Sequence, residues 1–218
     1  MSLEKIIRIA KTKIPTIYGY IWFLCFDFGE REVFVISNKL KPKDPLNLRI
    51  HSSCFTSEIF GSLKCDCKLQ LDLFLDKLGK EKKESFSLFY FPDHEGRGIG
   101  IFNKIRVYEV QRKLSLDTYE ANKHLNLPID ARDYKPTIEI LKYFKIKKVI
   151  LYTNNTEKLD FLKKAKIKVT RSPHIVEPKS FYALKYLQTK ALKGKHLIDL
   201  DFLNSLIFKK NEKETTNI

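Results

Sequence analysis

The 218-residue sequence predicts an α/β fold, a mixed sheet with a β-rich N-terminal part and flanking helices. Aromatic and β-branched residues fill 18–28 and 32–37, and the second half alternates strand-like and helical patterns. Between a short apolar run and a helical stretch lies the polar turn Pro92-Asp-His-Glu-Gly-Arg-Gly-Ile-Gly, the place where α/β proteins set their ligands.

Taken in order, 18–28 and 32–37 form a hairpin joined across Gly29 and Glu30, 39–45 is a loop, and 48–52 is a strand running toward Cys54. After Cys67, the apolar face Leu69, Leu71, Leu73, Phe74 and Leu78 predicts a helix ending near Gly79. A strand over 85–91 then leads through the glycine turn into a helix over 101–113. Residues 136–144 read as helix, 149–153 as strand and 157–164 as helix. With no internal repeat and no Gly/Ser or Pro linker, the expectation is one domain over 1–208, with a polar, disordered tail over 209–218.

Composition narrows the function classes. A 43% hydrophobic content suits a folded globular chain, no apolar stretch is long enough to span a bilayer, and the N-terminal residues lack a secretory core. The expected setting is cytoplasmic and reducing, where cysteines bind metals or do chemistry more often than they form bridges. The net charge of +15 raises the prospect of a polyanionic partner. The lysines are spread along the chain without an aromatic-interleaved basic block, which favours a lysine-rich surface over DNA or RNA binding.

The sharpest signal is Cys54, Cys65 and Cys67, with ten residues and then one between them. Structural zinc sites close with four protein ligands; three leave a position for a polarised water, which suggests hydrolysis. Buried thiols, or one disulfide with a spare, would also account for the three. A fourth ligand could come from His51, His94 or Asp66. Cys25, inside the run Tyr20-Ile-Trp-Phe-Leu-Cys-Phe, reads as a core residue.

Three weaker signals accompany the cysteines. In the glycine turn, free N–H groups at the start of the following helix suit an anion, and the Glu95 carboxylate suits the paired donors on the Watson–Crick edge of guanine. Asp130-Ala-Arg-Asp-Tyr sets an acid beside Arg132, though such a segment is often only a solvated turn. Thr153-Asn-Asn-Thr-Glu-Lys158 joins a strand to a helix and serves equally as a phosphate cradle or an ordinary loop.

In this order the motifs Arg49-Ile-His-Ser, Cys65-Asp-Cys with Gln70, Glu95-Gly-Arg-Gly-Ile-Gly, Asn103-Lys-Ile-Arg with Tyr108, Asp117-Thr-Tyr-Glu-Ala-Asn, Asp130-Ala-Arg and Thr153-Asn-Asn resemble the GTP cyclohydrolase II family of riboflavin biosynthesis. The likeness runs from Ile14 to about His196. It implies a GTP cyclohydrolase II-like fold and one zinc ion per chain on Cys54, Cys65 and Cys67, which activates a water to attack C8 of guanine so that the ring opens and formate leaves. It also implies a GTP site formed by Arg49, Ile50, His51, Ser52, Ser53, Gln70, Glu95, Gly96, Arg97, Thr118, Thr153 and Lys158, with Tyr108 assisting hydrolysis. For pyrophosphate release, Asp130 matches the family's proton acceptor and Arg132 its nucleophile at the α-phosphorus. Because a guanidinium stays protonated, charge stabilisation is the better-founded role for Arg132. Magnesium on the substrate phosphates and a homodimer are further implications.

The chain also departs from the family pattern. Ser53 stands where glutamate is usual, Lys68 and Ser57 where glycine is usual, and Asp93-His94 where Arg-Gln is usual. These positions border the site. A paralogue acting on another purine nucleotide or stopping at an intermediate is one alternative, and a zinc-stabilised nucleic-acid-binding protein is another.

Overall fold

In the computed structural model, which describes residues 5–194, 196–201 and 203, three strands open the chain: β1 (Arg8–Thr16), β2 (Gly19–Asp27) and β3 (Glu32–Ser37). β4 (Leu46–Ser52), the single turn α1 (Phe55–Glu58), α2 (Cys67–Lys80) and β5 (Ser85–Phe91) follow. A 3-10 segment (Pro92–Arg97) then leads into α3 (Gly100–Leu114) and α4 (Thr118–His124). The remaining elements are α5 (Lys135–Tyr143), β6 (Lys148–Tyr152), α6 (Thr156–Lys164), β7 (Lys168–Ser172) and α7 (Phe181–Lys193).

The strands form one mixed sheet in the order β1-β2-β3-β5-β4-β6-β7. β1, β2, β3 and β5 pair antiparallel, whereas β5, β4, β6 and β7 run parallel. Helices cover both faces of the parallel half. Phe74 and Leu78 of α2 pack on one side with Ile21, Ile36, Phe86 and Leu88. Ile138, Ile140 and Leu141 of α5 and Leu159 and Leu162 of α6 pack on the other, with Leu46, Leu48, Ile50, Val149 and Leu151. This explains why β4 is buried along nearly its whole length. Its apolar residues enter the second cluster, while the alternate residues Asn47, Arg49 and His51 face α2 as buried polar groups.

The expected α/β class and mixed sheet are present, and Ser85–Phe91 has the boundaries read from sequence. β4 starts at Leu46, two residues earlier than read, because the ladder to β5 already runs from Leu46 opposite Ser85. β1 was not anticipated: it is an edge strand that exposes Arg8, Lys11 and Lys13, and it lacks a clean apolar alternation. α1, α4, β7 and α7 were also unread. Cys25 is partly buried on β2 opposite Phe34, less enclosed than a core reading implies. The tail read over 209–218 lies outside the described residues. Among the described residues, no helix is long and apolar enough to cross a membrane.

Candidate functional site

The parallel strands aim their C-terminal ends at one edge of the sheet, where ligands of α/β proteins collect. β4 delivers Ser52 to Cys54, β5 delivers the glycine turn and β6 delivers Thr153 to Asn155. These segments border a cavity of about 1160 Å³. Arg49, His51, Ser52, Ser53, Cys54, Cys65, Cys67, Gln70, Gly96, Arg97, Tyr108, Thr118, Arg132, Thr153 and Lys158 all line it.

Three sequence-predicted residues do not. The Ile50 side chain is in the core, and only its carbonyl reaches the site, accepting from Lys158 Nζ at 2.8 Å. Asp130 reaches the cavity only through Arg132, with which it pairs. Glu95 is buried and has both oxygens occupied: Oε2 accepts from Phe55 N at 2.6 Å, and Oε1 accepts from Lys104 Nζ at 2.5 Å and Gly96 N at 3.0 Å. These bonds use three of the carboxylate's roughly four acceptor positions, so Glu95 would have to release one of them to take the donor pair of a guanine edge.

At one end of the cavity the sulfurs of Cys54, Cys65 and Cys67 lie within 4.8 Å of one another, with Cys54 Sγ 3.6 Å from Cys65 Sγ. Tetrahedral zinc with Zn–S bonds of about 2.3 Å places its sulfurs about 3.8 Å apart, so the donor set fits such an ion. Crowding couples the three thiols. Contacts with the other two cysteines pull the Cys54 thiol far below its usual range and push Cys67 well above it, so the first proton leaves readily and the last is held until a cation offsets the charge. The three side chains considered as a fourth ligand are engaged elsewhere: His51 with Glu58, His94 with Ser52 and Asp133, and Asp66 with Gln70 and Lys190.

A buried polar network supports this centre. Glu58 accepts from Cys54 N at 3.0 Å, from His51 Nε2 at 2.8 Å and from the Tyr90 hydroxyl at 2.7 Å. Since Arg49 Nε donates to His51 Nδ1, the imidazole carries its proton on Nε2, and burial lowers its pKa. Arg49 also donates to Gln70 Oε1 at 2.7 Å. Burial brings the Arg49 guanidinium down to about 10, still charged at neutral pH. The sequence reading missed Glu58 and Lys104, because neither role shows before β5 and α3 are folded against Cys54. Ser53, the missing carboxylate, donates instead to the Pro92 carbonyl at 2.8 Å.

The opposite wall is cationic. Arg132 Nε donates to Asp130 Oδ1 at 2.9 Å, with a second bond from Nη2 to Oδ2, and Nη1 reaches Ser52 Oγ at 3.4 Å. Burial alone would raise the Asp130 carboxyl, but the Arg132 bonds outweigh it and hold the group below the usual carboxylate range. Arg97 lies over the Tyr119 ring at 4.5 Å. Lys158 is driven well below the ordinary lysine range, first by burial and then by Arg132 and Arg49. Arg132 has Asp130 as its counter-charge, but Lys158 donates to the neutral Ile50 carbonyl and is crowded by Arg132 and Arg49, so this wall favours an anion. Gly98, at φ +85°, keeps the Asp130–Arg132 segment close: a Cβ there would stand 3.0 Å from the Ala131 carbonyl carbon, and Ala131 N donates to Arg97 O at 2.9 Å. α7, unread from sequence, adds Lys185, Tyr186 and Lys190 to the wall.

Fold and site together define an α/β protein with a three-sulfur centre facing a cavity lined by arginine and lysine side chains. The sequence pattern described as GTP cyclohydrolase II matches residues 7–173, and the chain belongs to that family. It is 43% identical over 190 residues to the GTP cyclohydrolase-2 of Campylobacter hominis, covering 86% of this chain and 93% of that protein. The GTP cyclohydrolase-2 of Picrophilus torridus is 35% identical over 190 residues, covering 86% and 97%. The riboflavin biosynthesis protein RibBA of Aquifex aeolicus is 38% identical over 194 residues, 87% of this chain and 47% of that longer protein.

Proposed function

We propose that this chain is a GTP cyclohydrolase II of riboflavin synthesis: a hydrolase that opens the guanine imidazole ring of GTP at C8 and releases formate and pyrophosphate, giving 2,5-diamino-6-(5-phosphoribosylamino)pyrimidin-4(3H)-one. The observation that carries this reading is the juxtaposition of the sulfur triad with the cationic wall in one cavity. Cys54, Cys65 and Cys67 would hold one zinc per chain, and that ion would supply Lewis-acid chemistry that lowers the pKa of water toward neutrality.

The chain's own residues do the rest. Arg97, Arg132 and Lys158 attract and neutralise the triphosphate, while Thr118, Thr153 and Gln70 offer polar contacts around it. Arg132, kept protonated by Asp130, stabilises charge at the α-phosphorus as pyrophosphate leaves. The Tyr108 hydroxyl, its pKa raised mainly by burial, stays protonated and would serve as a donor beside Cys65 and Cys54. Glu95 and Gly96 shape the nucleotide turn. His51 and the 49–53 segment brace Cys54 and the cavity floor. Magnesium would accompany the substrate phosphates and offset part of their charge. A homodimer would cover exposed apolar residues such as Ile59, Phe60 and Phe102, and a reducing cytoplasm suits the free cysteines.

Zinc-loaded protein incubated with GTP and magnesium should yield formate, pyrophosphate and the pyrimidinone phosphate together. Zinc-loaded protein that forms none of the three would overturn the reading. Formate without pyrophosphate would instead assign a truncated reaction, which the altered Ser53 border makes worth resolving by mass detection.

A further inference from the structure

We propose that Lys104 is a positioning residue that ties the three-cysteine centre to the nucleotide turn, so that metal and nucleotide bind cooperatively through it. This rests on the reading of the three sulfurs as a metal site. Lys104 sits on the first turns of α3, yet its ammonium is buried, donating to Cys54 Sγ at 3.2 Å and to Glu95 Oε1 at 2.5 Å. Its Nζ also lies 5.8 Å from the centre of the Tyr108 ring. A buried ammonium is costly unless paired, and the partners of Lys104 are one sulfur of the triad and the carboxylate that braces the glycine turn.

The charges show what it does. Three thiolates around a divalent ion leave one net negative charge, and Glu95 adds another beside it. Lys104 offsets one of these where water is excluded. Its second effect is mechanical. Glu95, held by Lys104, accepts from Phe55 N, the residue after Cys54, and from Gly96 N in the turn that carries Arg97. Cys54, Lys104, Glu95 and Gly96 thus form one continuous hydrogen-bonded unit. Gly96 permits it: at φ +60° an added Cβ would meet Ile99 Cγ1 at 2.9 Å and Lys104 Cβ at 3.2 Å. Holding Cys54 in a metal's ligand set would therefore also hold the turn that carries Arg97. By linkage, a nucleotide that orders the turn must tighten the metal by the same factor.

The test is Co2+ titration of the purified full-length chain, read by sulfur-to-cobalt charge-transfer absorption, with and without GMP as a weakly chelating nucleotide probe. Lys104→Met should retain the band at saturation but weaken Co2+ binding by about 10–100-fold, the range for outer-shell partners of metal ligands. Wild-type protein should bind Co2+ more tightly with GMP present, and the variant should lose that gain. If Lys104→Met proves too unstable to purify, Lys104→Gln, which leaves Glu95 a donor without the charge, carries the same expectation. Unchanged Co2+ affinity in the variant, or no GMP effect in wild type, overturns the proposal while leaving the metal reading intact. Absence of any charge-transfer band in wild type removes both.

Discussion

Arg132 shows how far residue types alone can carry a mechanism. Its position was legible in Asp130-Ala-Arg, but its geometry was not: the guanidinium is clamped in the bidentate arrangement that only arginine makes, with Ser52 on its free nitrogen. A lysine would keep the charge and lose the fork. Arg132→Lys should therefore lower kcat by about 100-fold, the scale for losing one preorganised transition-state donor, while KM for GTP changes only a few-fold. Steady-state assay of pyrophosphate release checks this, and an equal loss through KM alone would assign Arg132 to ground-state binding. Glu95 is the converse case. The sequence located it correctly in the glycine turn, but an isolated carboxylate gives no sign that Lys104, nine positions on, and the backbone of Phe55 will occupy it.

Among the elements, those with strong periodic apolar patterns were readable: β5 matched residue for residue, and the α2, α3, α5 and α6 helices were placed to within a residue or two. α4 was missed although it carries a local signature. Asp117 accepts from the backbone N–H groups of Tyr119 and Glu120, and Glu120 accepts in return from Asp117 N at 3.0 Å, a reciprocal capping box. Seven residues with little apolar periodicity hid it. The cap sets Thr118 at the cavity wall and is tied to α7 by Lys193, which bonds both acids. Asp117→Ala should cost about 1 kcal/mol, equivalent to a drop of roughly 2–4 °C in Tm for a chain of this size. Calorimetry checks the stability. A concurrent rise in KM for GTP would show that the cap also holds Thr118 in register. β7 and α7 lay beyond reading because their placement depends on partners distant in sequence: β7 on the β6 ladder, and the start of α7 on the Leu63 carbonyl that Ser180 approaches.

At the scale of the whole molecule, the cavity edge of the sheet holds histidines that folding keeps neutral. His94, His174 and His196 are each pushed to about 3, burial being the largest cause in every case. The hydrogen bonds agree with that state. His94 Nε2 faces the Asp133 carbonyl, His174 Nε2 the Gln70 carbonyl and His196 Nδ1 the Gly194 carbonyl, so each ring needs one N–H on that nitrogen. Among the described residues His174 Nδ1 is buried with no hydrogen-bond partner, so a second proton would enter a site without an acceptor there. In the unfolded chain these rings regain pKa values near 6.5 and bind protons that the native state refuses. A folded pKa below the unfolded one contributes stability that is full above about pH 6.5 and is lost as pH falls toward the folded value near 3. Each ring can contribute at most about 1.4 kcal/mol per pH unit over that window, and Asp130, held down by Arg132, adds loss at its acid end. Urea unfolding between pH 7.5 and 4.5 should therefore show stability falling steadily below pH 6.5 with an unchanged m-value. His174→Gln, which keeps a donor for the Gln70 carbonyl without a titrating ring, should flatten the slope by close to one proton. A wild-type profile that is level across this range would mean that the three rings are hydrated and free to charge in the native state, and that the edge of the sheet carrying the site is looser than its hydrogen bonds imply.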